Sequence, residues 1–253
     1  MTLHMVGLGL SYADDMSVRS LNILQKCEHV YVEGYTSILS CTLDDLSNLI
    51  GKKVVQVNRK ESENDIDIII KQALDNEIAF CVIGDPLSAT THTDIIAQAK
   101  EVGVETKVYH NASVFTAIAS AGLQLYKYGK TTSIPFLSDI PNLETPYRII
   151  EQNLSIGAHT LCLLDIKPPR FMHVKEAIET LYKIQERTGE TVLQKDQIFI
   201  GCARLGWDKQ IIVAGTKDEL CKIDFGSEPH CLIVPGNLHF LEEDFIRSLR
   251  YHD

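Results

Sequence analysis

Five short apolar runs alternate with segments of helical periodicity in the first 110 residues, and this rhythm leaves few folds open. The runs are Leu3–Leu8, His29–Glu33, Lys53–Val57, Ile78–Ile83 and Val104–Tyr109. Between them the spacing predicts helices over Ser17–Lys26 and Thr42–Ile50, around Asp65–Leu74, and after Thr91. Strands separated by helices pair in parallel, because a parallel pair needs a crossover too long for a hairpin. Thr42-Leu-Asp-Asp45 supports one helix start, with a capping hydroxyl and an early carboxylate.

Ligands of an open parallel sheet sit at the carboxyl ends of its strands. The run Gly84-Asp-Pro-Leu-Ser-Ala-Thr-Thr-His92 follows the Ile78–Ile83 strand there and carries a carboxylate and three hydroxyls. It is a candidate binding rim for a small polar ligand. Thr90 or Thr91 is expected to cap the helix that follows. His110-Asn-Ala-Ser113 occupies the same edge one strand later. It reads as an N-cap, or as a helix end whose N–H groups and Ser113 hydroxyl face a ligand.

The texture changes after Val114–Ala121, which reads as a small-residue helix. Strands at Thr131–Phe136, His159–Asp165, Gln197–Arg204, Gln210–Ala214 and His230–Val234 are joined partly by helices and partly by turns. Leu205–Lys209 is too short for a crossover, so its flanking strands are expected to be antiparallel. The boundary predicted is residues 1–112, a parallel α/β domain, and 113–253, a mixed α/β domain. Ser138–Pro146, with its prolines, reads as a mobile surface segment.

A formal charge of −10 argues against nucleic acid as a partner, since that binding needs a basic face. Seven cysteines without a CxxC pair, several inside apolar runs, read as buried thiols of a reducing compartment. The first residues lack a basic start, so no signal peptide is expected. No apolar run approaches the ~20 residues that span a bilayer. The expectation is a cytoplasmic protein with no membrane contact.

Gly7-Leu-Gly9 invites a dinucleotide-binding reading, but the third glycine of that motif would fall at Tyr12. A tight turn leaving the sheet is the stronger reading. Gly129-Lys-Thr131 lacks the earlier glycine of a phosphate loop. The nine histidines show no ligand spacing, so no metal is expected, and His92, His110 and His159 read as local hydrogen-bonding or capping groups. Asp165 and His230 are at strand ends, where either could be structural.

Several segments in order resemble one family: Gly7-Leu-Gly-Leu10, Val32–Ser37, Gly84-Asp-Pro with Ala89-Thr-Thr-His92, His110-Asn-Ala-Ser113, Gly122–Lys127, His159–Lys167, and Ala203-Arg204 with Ala214-Gly-Thr216. Together they resemble the diphthine synthases, methyltransferases of diphthamide biosynthesis in the tetrapyrrole-methylase-like class III group. The resemblance implies two α/β domains, an N-terminal parallel sheet and a C-terminal mixed sheet, with S-adenosylmethionine in the cleft between them, and a homodimer. It implies methylation of a modified histidine of translation elongation factor 2, on its amino group and, in the eukaryotic type, also on a carboxylate as the methyl ester. Carried over by position, the cofactor contacts are Leu10, Asp85, Ser88, Ser113, Val114, Leu164, Leu205 and His230. In-line methyl transfer requires no strong general base, and water or a nearby carboxylate could take the proton of the acceptor amine, so the catalytic residue stays open. Position 88 is commonly glycine in the family, so Ser88 would need compatible backbone angles. The same fold would serve a methylase acting on a tetrapyrrole, or a silent S-adenosylmethionine-binding protein that docks a partner. The Gly122–Lys127 and His159–Lys167 segments resemble the diphthine branch.

Overall fold

A computed structural model describes residues 1–34, 37–57 and 62–250. Tyr35 and Thr36 of the Val32–Ser37 segment lie outside the described residues. The chain divides into two compact units, residues 1–117 and 118–253, so Ser113 and Val114 belong to the first.

The first unit runs β1 (Thr2–Gly7), α1 (Val18–Leu24), β2 (His29–Glu33), α2 (Leu43–Ile50), β3 (Val54–Val57), α3 (Ser62–Gln72), β4 (Ile78–Val82), α4 (Thr93–Glu101), β5 (Glu105–Tyr109) and the single turn α5 (Val114–Ala117). Its sheet has the order β3-β2-β4-β1-β5, and every pairing is parallel. All five residues of β4 are buried because both faces are covered. Ile78, Phe80 and Val82 pack on one face with Ile69 and Ile70 of α3 and Ile95 of α4. Ala79 and Cys81 pack on the other with Leu24 of α1 and Leu46 and Ile50 of α2. The strand's period of two thus serves two cores at once.

The helices change face where the strand order reverses. The loop after β1 leads to α1 on one face, and the loop after β4 leads to α4 on the other, although β1 and β4 are neighbours. Two adjacent loops that part in this way open a crevice at the carboxyl edge, the usual ligand position in such sheets.

Local signals decide several ends. The Thr42 hydroxyl accepts from the Asp45 N–H at 3.1 Å while the Asp45 carboxylate accepts from the Thr42 N–H at 2.8 Å, a reciprocal cap that starts α2. α4 departs from expectation: His92 is the residue before its first turn, and neither threonine caps it. The Thr90 hydroxyl instead accepts from the His92 N–H at 2.9 Å, bending the chain ahead of the helix. The helix expected over Val114–Ala121 is α-helical for one turn and tightens to a 3-10 turn at Ile118–Ala121.

The second unit holds β6 (Thr132–Ile134), α6 (Thr145–Ser155), β7 (Thr160–Leu164), a hairpin of β8 (Ile166–Lys167) and β9 (Arg170–Phe171), α7 (Val174–Thr188), β10 (Phe199–Ala203), β11 (Ile211–Gly215), α8 (Lys217–Leu220), β12 (His230–Val234) and α9 (Phe240–Ser248). Its main sheet, in the order β11-β10-β12-β7-β6, is antiparallel except for β6 with β7. Val174, Ala177, Ile178, Leu181 and Ile184 recur at helical spacing along α7 and bury against this sheet with Tyr147 and Ile150 of α6. The Leu205–Lys209 turn joins the antiparallel β10 and β11, as its length requires. Ser138–Pro146 is tied to the unit, since the Arg187 guanidinium donates to the Pro141 and Leu143 carbonyls and Leu143 is buried. Pro146 sits in the first turn of α6.

Candidate active site

Three loops converge where β1, β4 and β5 end. A Cβ on Gly7 would lie 2.7 Å from the Gly84 carbonyl oxygen and 2.8 Å from the Asn111 Cβ, so a side chain there would separate the loops. Gly9 and Gly84 exchange backbone hydrogen bonds of 3.2 and 2.7 Å. Both lie in the left-handed region, with φ of 88° and 84°. The Asn111 amide donates to the Gly7 carbonyl at 3.1 Å and to the Asp15 carbonyl at 3.2 Å. No dinucleotide helix opens here, because α1 does not begin until Val18.

Asp85 holds this edge together. One carboxylate oxygen accepts from the Leu87 N–H at 2.9 Å and the Ser88 hydroxyl at 3.3 Å. The other accepts from His110 Nδ1 at 2.8 Å and the Asn111 N–H at 3.1 Å. Burial alone would raise its pKa, but these donors outweigh burial and hold the carboxyl below the ordinary range. Ser88 adopts no left-handed conformation; the positive φ falls on Ala89, at 57°. His92 is buried, with Nδ1 3.1 Å from the Pro86 carbonyl and Nε2 3.4 Å from Glu33. Ser113 is buried and its hydroxyl accepts from the Phe115 N–H at 3.3 Å, while Leu10 and Val114 are half-buried. Leu10, Asp85, Ser88, Ser113 and Val114 therefore share one edge of the first unit.

Leu164, Leu205 and His230 share one end of the second unit's sheet. β7 ends at Leu164 where the antiparallel β12 begins at His230, and Leu205 follows β10 beside them. His230 Nε2 lies 3.2 and 3.0 Å from the carbonyls of Gly226 and Ser227, so that nitrogen carries the proton. Burial, the His173 ring 4.5 Å away and the Arg204 charge push its pKa down to about 4. Nδ1 is left as a buried acceptor with no hydrogen-bond partner among the described residues.

The remaining sequence features are fabric. Asn153 receives the Lys130 N–H at 3.1 Å, and a Cβ on Gly129 would fall 2.2 Å from its amide oxygen, so Gly129–Thr131 packs rather than binds phosphate. His159 is buried between Glu242 at 3.2 Å and the Gly236 N–H at 2.9 Å. Asp165 accepts from the Phe136 N–H at 3.2 Å. The cysteines are free thiols, five of them buried. No helix among the described residues is long and apolar enough to cross a membrane. Sequence reasoning passed over His173; its place just before α7, beside the His230 ring, shows only once β12 is set against that helix.

Residues 2–221 match the family model of tetrapyrrole (corrin/porphyrin) methylases. The chain is 38% identical to the diphthine methyl ester synthase of Dictyostelium discoideum, with 99% of this chain and 98% of that one covered. It is 40% identical to the diphthine synthase of Methanocaldococcus jannaschii, with 98% of each covered. The chain belongs to the diphthine synthase family. A crystal structure of diphthine synthase superposes with a TM-score of 0.90 at 34% identity, covering 99% of this chain and 96% of that one. The two-part α/β architecture is therefore that of the diphthine synthases, and the chain is a methyltransferase.

Proposed function

We propose that this methyltransferase transfers methyl groups from S-adenosylmethionine to the diphthamide precursor, the modified histidine of translation elongation factor 2, giving diphthine or its methyl ester. Full-length similarity to diphthine synthases at about 40% identity carries the reading. The same reading makes it a cytoplasmic homodimer.

The residues suit the cofactor. His230 Nδ1 is an orphaned buried acceptor for a hydroxyl or amino donor. The residues proposed to contact it are Leu10, Asp85, Ser88, Ser113, Val114, Leu164, Leu205 and His230. When bound, the cofactor supplies an electrophilic methyl group on a positively charged sulfur. Asp85 acts through shape: its oxygens are filled by protein donors, so it fixes the 84–88 loop for backbone contacts. Holding reactants aligned at about 3–3.5 Å is worth roughly 7–11 kcal/mol, so positioning carries most of the work.

Incubation with labelled S-adenosylmethionine and elongation factor 2 bearing the unmethylated precursor tests the reading. Label on the factor is expected. Cofactor binding without transfer would favour a silent docking protein. Ser113→Leu should abolish binding by calorimetry; normal affinity would remove Ser113 from the site.

A further inference from the structure

Four histidines among the described residues contact a carboxylate: His4 with Glu77 at 2.6 Å, His92 with Glu33 at 3.4 Å, His159 with Glu242 at 3.2 Å and His110 with Asp85 at 2.8 Å. The first three rings are buried, with side-chain exposures of 2%, 6% and 0%. His110 is 67% exposed while its partner Asp85 is 9% exposed. A buried acid thus orients an accessible imidazole, the arrangement by which enzymes set a general base.

We propose that His110 is the base that takes the proton from the acceptor amine, with Asp85 as its positioning residue. The inference rests on the proposed function and deepens it. An alkyl amine has an ordinary pKa of about 10.4, so at neutral pH it arrives charged, and an ammonium has no lone pair with which to attack. Asp85 stays ionised under its four donors and accepts only, so His110 Nδ1 must carry the hydrogen of their bond. In its neutral form the ring presents Nε2 as an acceptor, and Nε2 has no partner among the described residues. The Asn111 N–H on the same carboxylate oxygen fixes the peptide next to the ring. Asp85 is the charged group in contact with that ring among the described residues.

The step balances simply. The ammonium N–H bond breaks and leaves its electron pair on the amine nitrogen. The Nε2 lone pair forms the new N–H bond, giving an imidazolium whose charge faces the Asp85 carboxylate. The exposed ring then returns the proton to water. The freed amine lone pair is what the methyl carbon requires. Position supports the role: His110 directly follows β5, three residues before Ser113, on the edge that Asp85 and Ser88 share.

His110→Ala should slow the first methyl transfer to precursor elongation factor 2 by on the order of 100-fold, a usual worth for a general base. Its affinity for S-adenosylmethionine by calorimetry should stay within about threefold, and free imidazole should restore part of the rate. Nitrogen-15 NMR of the wild-type chain should show the His110 proton on Nδ1. Transfer at an undiminished rate, a loss that imidazole leaves unrepaired, or a neutral ring protonated on Nε2 would each overturn the proposal. Wild-type protein that binds cofactor but transfers nothing would sink the proposed function instead, which separates the two failures.

Discussion

His110 with Asp85 in the first unit and His159 with Glu242 in the second are the same chemical pair in opposite circumstances. His159 has both nitrogens spent, Nε2 on Glu242 and Nδ1 on the Gly236 N–H, and no exposure. Glu242 also accepts from the Gln124 and His239 N–H groups at 2.9 and 2.8 Å and from the Lys127 ammonium. That cluster ties α9 to the Gly122–Lys127 segment and can exchange no proton with a ligand. His110 keeps one nitrogen accessible and lies where parallel strands end. A histidine–carboxylate contact is therefore not evidence of chemistry by itself; a free nitrogen at the carboxyl edge of a parallel sheet is what separates the two.

The largest effect is expected at Glu242. Burial works against its charge, but the Gln124 and His239 N–H groups with Lys127 and His159 prevail and hold its pKa near 2, about 3 kcal/mol of preference for the ionised form. Glu242→Gln should cost about 3–5 kcal/mol, read as a lower urea midpoint, because donors lose a buried charged partner. A neutral substitution would mean the cluster is not fabric.

His230 sharpens the contrast as a buried ring with one idle nitrogen. Its folded pKa of about 4 lies below the unfolded value of about 6.5, so the unfolded chain takes up the proton first as pH falls. This contribution is whole above pH 6.5 and is lost towards pH 4, by about 3 kcal/mol in all. His230→Gln should flatten the decline of stability across that window in pH-dependent unfolding; an unchanged slope would deny that the ring is buried neutral. The smallest effect is expected far from either pair: Thr42→Ala removes the α2 cap and should cost about 1 kcal/mol of stability while leaving methyl transfer intact.

The scaffold was largely legible in the sequence for a physical reason. Strands buried on both faces must be continuously apolar, and β4 announces itself as Ile-Ala-Phe-Cys-Val. The Thr42 cap could be read from spacing alone. The β8–β9 hairpin could not, since two residues per strand show no period. Nor could the cap of α4, because Thr90 spends its hydroxyl on the turn before the helix. Asp85 was visible as an acid at a strand end, but its partner was hidden. β4 and β5 flank β1 from opposite sides, so Asp85 and His110 meet only across the end of β1, where Gly7 has no side chain to part them.

His110→Ala and His159→Ala, assayed side by side for methyl transfer per folded molecule and for urea midpoint, test this account most directly. His110→Ala is expected to lose transfer with only a small fall in midpoint, while His159→Ala loses stability and the molecules that remain folded transfer normally. The reverse pattern, or loss of transfer in both with no loss of stability, would contradict it.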